Sequence, residues 1–341
     1  MRILIVTDAW RPQVNGVVRS LESVSAALRN LGAGIEFLTP EGFATVPLPT
    51  YREIRLALVN QKAVARRLEN APIDHIHIAT EGPLGFAARR YCLRTNQLFT
   101  TSYHTRFPEY IAARTPIPES VTYAVLRRFH NAACGVMVST ASIADDLRRR
   151  GFRRLMRWSR GVDHTQFNPS KAAPIDLPRP VFLYAGRLAP EKNIEAFLSL
   201  DLPGSKVVVG DGPSRPSLEA SFPSAHFAGM QKGDALAAYY ASADVFVFPS
   251  RTDTFGIVLL EALACGVPVA ALPVPGPLDV IGSSGAGVLD MDLRAACLAA
   301  LEIPREAARA HALNFTWEKS ARQFLDNITA ARAAAQCGLT G

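Results

Sequence analysis

Residues 245–269 read VFVFPSRTDTFGIVLLEALACGVPV. Four apolar residues, Val245–Phe248, lead into a polar loop through Asp253, a glycine at Gly256, an apolar run Ile257–Ala264 and a second β-branched run at Val267–Ala271. Strand, loop, helix and strand in that order form the repeating unit of a parallel sheet. Strands that are apolar at successive positions are buried on both faces. The same alternation runs through the chain. Strands are expected at Ile3–Thr7, Ile35–Thr39, His75–Ile78, Leu98–Ser102 and Val136–Ser139, then at Val181–Ala185, Lys206–Val209, Val245–Phe248 and Val267–Ala271. Between the first two, Val18, Leu21, Val24, Leu28 and Leu31 recur at three or four residues, the period of a helix with one buried face, and Gly32 stops it.

The chain has 341 residues, which at roughly 150 per domain is about two domains. Hydrophobic residues make up 48% and charged residues 20%, which excludes a disordered chain. The prolines and asparagine at Asn168-Pro169, Pro174, Pro178 and Pro180 mark a boundary at 165–180. The expectation is therefore two doubly wound domains in tandem, with ligands beyond the carboxyl ends of the strands, in a cleft between the domains. Five scattered cysteines without a CxxC pattern fit a reducing compartment. No run of 18 apolar residues is present, and Ile3–Thr7 is too short for the core of a signal peptide. A cytoplasmic, at most peripherally membrane-bound protein is expected.

The net charge of +7 is unevenly spread. Residues 1–165 hold 23 Lys and Arg against 13 Asp and Glu, whereas residues 166–341 hold 14 against 17. A basic half points to an anionic partner. Seven arginines crowd 148–160, interleaved with Phe152, Leu155, Met156 and Trp158. Cations beside exposed aromatic groups suit an anionic lipid surface, which makes Arg153, Arg154, Arg157 and Trp158 candidates for membrane contact. A solvated loop is the alternative. Nucleic acid is not expected, because none of its recognition motifs is present.

Four turns can carry chemistry. Asn15-Gly16 opens the first helix, where backbone and dipole favour a phosphate, although an ordinary helix start capped by Asn15 fits equally. Gly186-Arg187-Leu188-Ala189-Pro190-Glu191-Lys192-Asn193 follows a strand and places two cations five residues apart, suited to two phosphates or to plain solvation. In 245–269, Asp253 and Glu261 are eight residues apart, and Gly256 starts the helix. Glu261 inside an apolar helix needs hydrogen-bond donors, from ribose hydroxyls or from a structural salt bridge. His104 and Glu81 each follow a strand; the imidazole could donate to a hydroxyl or help move a proton, or be structural. No metal site is expected. His75 and His77 share a strand face but lack a third ligand, and Asp290-Met291-Asp292 lies late in the chain.

Asp253 to Glu261 resembles the E-x7-E motif of retaining glycosyltransferases of family 4, with Asp in the first place. NGVVRSLE at 15–22, SYHTRFPEY at 102–110, SRGVD at 159–163, GRLAPEKN at 186–193 and GDGP at 210–213 are similar to that family and follow its order. The resemblance implies the α/β GT-B architecture of two Rossmann-like domains facing a central cleft. An acceptor domain would span 1–165, a nucleotide-sugar domain 166–315, and a last helix at 316–341 would pack back on the first domain. It implies a hexosyltransferase that retains anomeric configuration and uses neither metal nor cofactor. Arg187 and Lys192 would bind the donor diphosphate and Glu261 the ribose. Asp253, Thr254, Phe255, Gly256 and Ile257 would bind the sugar and its phosphate, with Gly16, Gly186 and Asp211 beside the donor. His104 would contact the sugar, with Asn15 and Glu81 toward the acceptor. SYHTRFPEY is similar to the branch of sulfoquinovosyl- and digalactosyl-diacylglycerol synthases and diacylglycerol glycosyltransferases. That implies transfer from a UDP-sugar to diacylglycerol or a glycosyl-diacylglycerol at the inner face of the cytoplasmic membrane. The alternatives are a GDP-mannose-dependent mannosyltransferase, a sugar-nucleotide 2-epimerase and a non-catalytic membrane-binding module.

Overall fold

In a computed structural model the chain is described at residues 1–13, 15–48, 51–70, 72–112 and 115–337. It divides into two compact units: Met1–Arg160 with Trp317–Gly341, and Gly161–Thr316. The proline-rich stretch expected to mark the boundary lies inside the second unit. There Arg179 grips Asp244 at 2.7 Å, and Asp244 in turn accepts from the Val181 amide that starts the first strand of that unit.

Unit 1 contains β1 (Arg2–Val6), β2 (Gly34–Leu38), β3 (Thr45–Leu48), β4 (Tyr51–Ala57), β5 (His75–Ile78), β6 (Phe99–Tyr103), β7 (Gly135–Val138) and β8 (Leu155–Arg157). Six of these form a parallel sheet in the order β2-β1-β5-β6-β7-β8, and β3 and β4 pair antiparallel apart from it. Unit 2 contains β9 (Val181–Ala185), β10 (Ser205–Val209), β11 (His226–Gly229), β12 (Val245–Phe248), β13 (Val269–Ala271) and β14 (Gly287–Leu289), ordered β11-β10-β9-β12-β13-β14 and all parallel. In each sheet the order reverses once, beside β1 in unit 1 and beside β9 in unit 2. The connections leave in opposite directions there and open a crevice at the carboxyl ends.

Both faces of each sheet are covered, as the apolar strands require. Ile3 and Ile5 pack with Leu21 and Val24 of the helix Gly16–Asn30 and with Phe324 and Ile328 of the last helix, Trp317–Cys337. Leu4 and Val6 point to the other face, among Leu68, Leu84, Ala88 and Phe129. The last helix buries Ala321, Phe324, Ile328 and Ala331, spaced by three or four residues, and so belongs to unit 1. Burying Phe324 contributes about 1.5–3 kcal/mol.

The strands expected from sequence are present within one or two residues. Those not expected, β3, β4, β8, β11 and β14, lie at sheet edges or outside the main sheets. A short strand paired on one side needs few apolar residues, and Leu155–Arg157 carries only two.

The interior of unit 1 holds a polar ladder. His75 Nε2 and His77 Nδ1 both lie 2.9 Å from Thr100 Oγ1, and His77 Nε2 lies 2.9 Å from Ser102 Oγ. The two imidazoles are a packed pair, and no cluster of three ligating side chains occurs among the described residues. Burial pulls His75 down to about 3, and holds His77 and His104 well below the usual histidine value. In the unfolded chain each titrates near 6.5. Below that pH the unfolded state binds more protons, so stability falls on acidification by about 1.4 kcal/mol per pH unit per histidine. Burial raises the Asp8 carboxyl, which acts in the opposite sense, but it is one group against three. The urea midpoint should therefore drop steadily from pH 7 to pH 5, and a flat profile would contradict the neutral buried histidines.

Candidate functional site

In unit 2 the loops after β9 and β12 meet at the reversal of strand order. β9 and β12 pair directly, Phe182 with Val245 and Leu183 with Phe246. From the first loop, Lys192 Nζ reaches Asp253 Oδ1 of the second at 2.5 Å, the two side chains being 21% and 18% exposed. Asn193 adopts a left-handed conformation, φ 54°, and its side-chain amide donates to the Pro249 carbonyl at 3.1 Å. The two loops are thus fixed to one another by an ion pair and a neutral hydrogen bond. Asp253 Oδ2 and Thr252 Oγ1 are buried and have no hydrogen-bond partner among the described residues. Orphaned acceptors of that kind are rare in protein interiors and fit a site built for a polar ligand.

Arg187 extends from β9, its carbonyl accepting from the buried Tyr184 hydroxyl at 2.9 Å. Burial pushes the Tyr184 phenol up, so it remains a donor. The strand end is held by GDGP. A Cβ at Gly210 would stand 1.8 Å from the Gly186 carbonyl oxygen, so the two backbones touch only because residue 210 is glycine. The Leu188 amide donates to the Asp211 carbonyl at 2.9 Å. The Asp211 side chain itself accepts from the Gly212 amide at 2.7 Å.

Gly256 caps the helix Ile257–Ala264 with φ 81°, a turn that aims the first amides of the helix outward. Thr254 and Ile257 are half-buried, and Phe255 is buried. Glu261 is 1% exposed within this helix, and its Oε2 accepts from the Tyr240 hydroxyl at 3.0 Å. Tyr240 comes from the helix Gly233–Ser242, and sequence reasoning missed it. One of two adjacent tyrosines in an alanine-rich helix gives no local signal of a partner in another helix.

In unit 1, Asn15 is the helix cap. Its Oδ1 accepts from the Val17 and Val18 amides at 3.0 Å each, and its Nδ2 donates to Gln13. A Cβ on Gly16 would meet nothing within 4 Å, so the surface there is open. The helix Pro83–Arg94 already has its anion. Asp8 accepts from the Leu84 amide at 2.9 Å, the Gly85 amide at 3.2 Å and the Thr80 hydroxyl at 3.0 Å. The Glu81 side chain is 3% exposed and lies 2.9 Å from His130 Nε2, so it faces the interior of the unit and not an acceptor. His104 follows β6 and lies 3.1 Å from an Arg160 guanidinium nitrogen.

The expected membrane contact at 148–160 needs correction. Trp158 is fully buried, its indole N–H donating to Ser320 of the last helix at 3.1 Å and its ring packed at a tilt against Phe324. Phe152 and Arg160 are buried as well. Arg153, Arg154 and Arg157 are exposed, but no exposed aromatic group accompanies them. The aromatic residues of this segment serve the core.

Comparison with known proteins agrees with this geometry. Residues 14–166 match the family model Glycosyltransferase Family 4, and residues 179–303 match the model Glycosyl transferases group 1. The chain is 30% identical over 326 residues to a GDP-mannose-dependent alpha-mannosyltransferase of Mycobacterium tuberculosis, covering 85% of this chain and 83% of that protein. It is 26% identical over 347 residues to the alpha-monoglucosyldiacylglycerol synthase of Streptococcus pneumoniae, covering 88% and 78%. The sucrose-phosphate synthase of Thermosynechococcus elongatus has the same fold, with a TM-score of 0.76 at 20% identity over 98% of this chain and 99% of that one. Family models that match most of the chain and a relative 30% identical over 85% of it lead to a single assignment: the chain belongs to glycosyltransferase family 4, with the GT-B fold.

Proposed function

We propose that this glycosyltransferase moves a hexose, with retention of configuration and without a metal ion, from a nucleoside diphosphate sugar to a lipid acceptor at a membrane. The observation that carries the reading is the Lys192–Asp253 pair beside the amino end of the helix Ile257–Ala264. The leaving diphosphate gathers negative charge as the glycosidic bond breaks. Arg187, Lys192 and the first amides of that helix supply fixed positive charge and dipoles where it develops. Asp253 offers its second oxygen to a sugar hydroxyl, and Glu261, oriented by Tyr240, accepts from the ribose. In this reading unit 2 holds the donor, and Gly16 and His104 keep the donor and sugar roles that the family resemblance gives them.

Two donor readings remain. The relatives that match over most of their own length include one named for GDP-mannose, which favours mannosyl transfer. The UDP-sugar reading rests on the likeness to lipid-glycosylating enzymes, among them the monoglucosyldiacylglycerol synthase. A donor panel of GDP-mannose and UDP-glucose against a membrane lipid extract, with mass spectrometry of the products, separates them. The 2-epimerase alternative requires epimerised donor without acceptor, which the same assay detects.

For the membrane, the outer faces of two neighbouring helices replace the 148–160 segment. The helix Pro83–Arg94 exposes Phe86, Arg90, Leu93 and Arg94, and the helix Glu119–His130 exposes Val121, Val125 and Arg128. Phe86 packs edge-on against Phe129, and the Arg89 guanidinium donates to the Phe129 and Arg128 carbonyls, which joins the two helices. Apolar side chains flanked by arginines match an anionic interface. No helix among the described residues is long and apolar enough to cross a membrane.

Three outcomes test these readings. Lys192→Ala should lower turnover at least ~100-fold, the size of losing one oxyanion-type donor; near-normal turnover removes the pair from the mechanism. Gly16→Ala should change stability by no more than about 1 kcal/mol and yet lower kcat/KM at least ~10-fold, or ~1.4 kcal/mol, because only a substrate would meet the new methyl. Val121→Asp with Val125→Asp should abolish sedimentation with vesicles containing phosphatidylglycerol while leaving the unfolding midpoint unchanged; vesicle binding equal to wild type would rule out this face.

A further inference from the structure

Arg160 is buried and carries no carboxylate partner among the described residues. One of its nitrogens, Nη1, donates to the Trp158 carbonyl at 2.6 Å and the Ser159 carbonyl at 3.2 Å, and its guanidinium lies 4.1 Å from the centre of the Trp158 ring. The other, Nη2, lies 3.1 Å from His104 Nδ1. A guanidinium has five donors and no acceptor, so Nδ1 must present its lone pair. A neutral imidazole with a lone pair on Nδ1 carries its proton on Nε2. A protonated imidazole would turn an N–H toward an N–H and set two buried cations side by side, at a large cost.

Among the described residues the charged and titratable neighbours act in the same sense. Trp158 packs edge-on against the His104 ring, with centroids 5.7 Å apart, and has no charge. The titratable groups on the packed elements are His77 of β5 and His130 of the helix Glu119–His130. His77 is occupied by Thr100 and Ser102, and His130 by Thr101 and Glu81. Burial first, then Arg160, His77 and His130, all lower the His104 pKa.

We propose that Arg160 is a positioning residue that locks His104 as the neutral Nε2–H tautomer, so that His104 meets its substrate as a hydrogen-bond donor and not as the base that takes the acceptor proton. The second half of this statement rests on the proposed function, and the first half does not. The acceptor proton then leaves by another route, and the donor phosphate oxygens are the acceptors at hand in a reaction where the diphosphate departs.

The lock is read directly by two-bond hydrogen–nitrogen correlation NMR of the full chain with 15N-labelled histidine. Wild type should show a pyridine-like Nδ1 and a pyrrole-like Nε2 on His104, unchanged from pH 8 to pH 5.5. Arg160→Met should mix the tautomers, with the ring still neutral because it stays buried, and Arg160→Lys, which keeps a donor, should return part of the wild-type pattern. An Nδ1–H tautomer in wild type, or titration of its His104 within that range, overturns the lock without any variant having to fold. For the donor role, His104→Gln keeps an N–H and should retain kcat/KM within a few fold. His104→Leu should lose about tenfold, the size of one hydrogen bond to a neutral partner. A normal rate in His104→Leu, with the NMR lock intact, would sink the substrate reading of His104 and leave the tautomer assignment standing.

Discussion

The Lys192 ammonium, 2.5 Å from the Asp253 carboxylate, spans the point where two parallel strands send their connections in opposite directions. Both side chains are mostly shielded from water, so the contact is stronger than a surface ion pair and costs more to form. It leaves one carboxylate oxygen without a partner. In the proposed reaction, an arriving diphosphate competes for the ammonium, and what Lys192 gives to phosphate it withdraws from Asp253. The carboxylate then seeks the nearest donor, which is a sugar hydroxyl. Binding of the leaving group and gripping of the sugar are coupled through one shared pair.

That coupling bears on the shorter acid in the family motif. An Asp in place of Glu withdraws the carboxylate by one methylene. The segment that carries Asp253 runs close to Gly276, where a Cβ would stand 3.2 Å from the Phe255 carbonyl oxygen and 3.4 Å from the Asp253 carbonyl oxygen. A side chain at that position would crowd the 253–255 backbone.

Much of the fold, and the meeting of the two loops that make the candidate site in unit 2, was legible because both depend on short-range chemistry. A strand buried on both faces is apolar at every position, as Val245–Phe248 is, and a loop suited to an anion carries cations at fixed spacing, as Arg187 and Lys192 stand in the sequence. What stayed hidden involves partners far apart in sequence. Tyr240 reaches Glu261 across twenty-one residues, and Trp158 finds Ser320 and Phe324 in the last helix. A reading of 148–160 alone sees arginines beside aromatic rings and infers an exposed segment facing an anionic lipid surface. The last helix supplies the dry side of that segment, with Gln323 and Asn327 bonding to Ser159 and Arg157. The basic excess of the first half is real, but its exposed apolar companions sit on other helices.

The polar interior of unit 1 follows from the same geometry. Along β6, Thr100 and Ser102 turn to one face, where they bond His75 and His77, and Thr101 turns to the other, where it bonds His130. A strand with partners on both faces cannot slip by one residue without breaking every one of these contacts, because a single-residue shift exchanges its faces. His104 is the next residue but one after Ser102, so the register that the ladder fixes also fixes where the imidazole emerges. An apolar strand would pack as tightly and hold its end less exactingly, since hydrophobic contacts tolerate small displacements and hydrogen bonds tolerate few. The buried threonines and histidines cost desolvation and acid stability. What they return is a defined origin for the loop that carries His104 to Arg160.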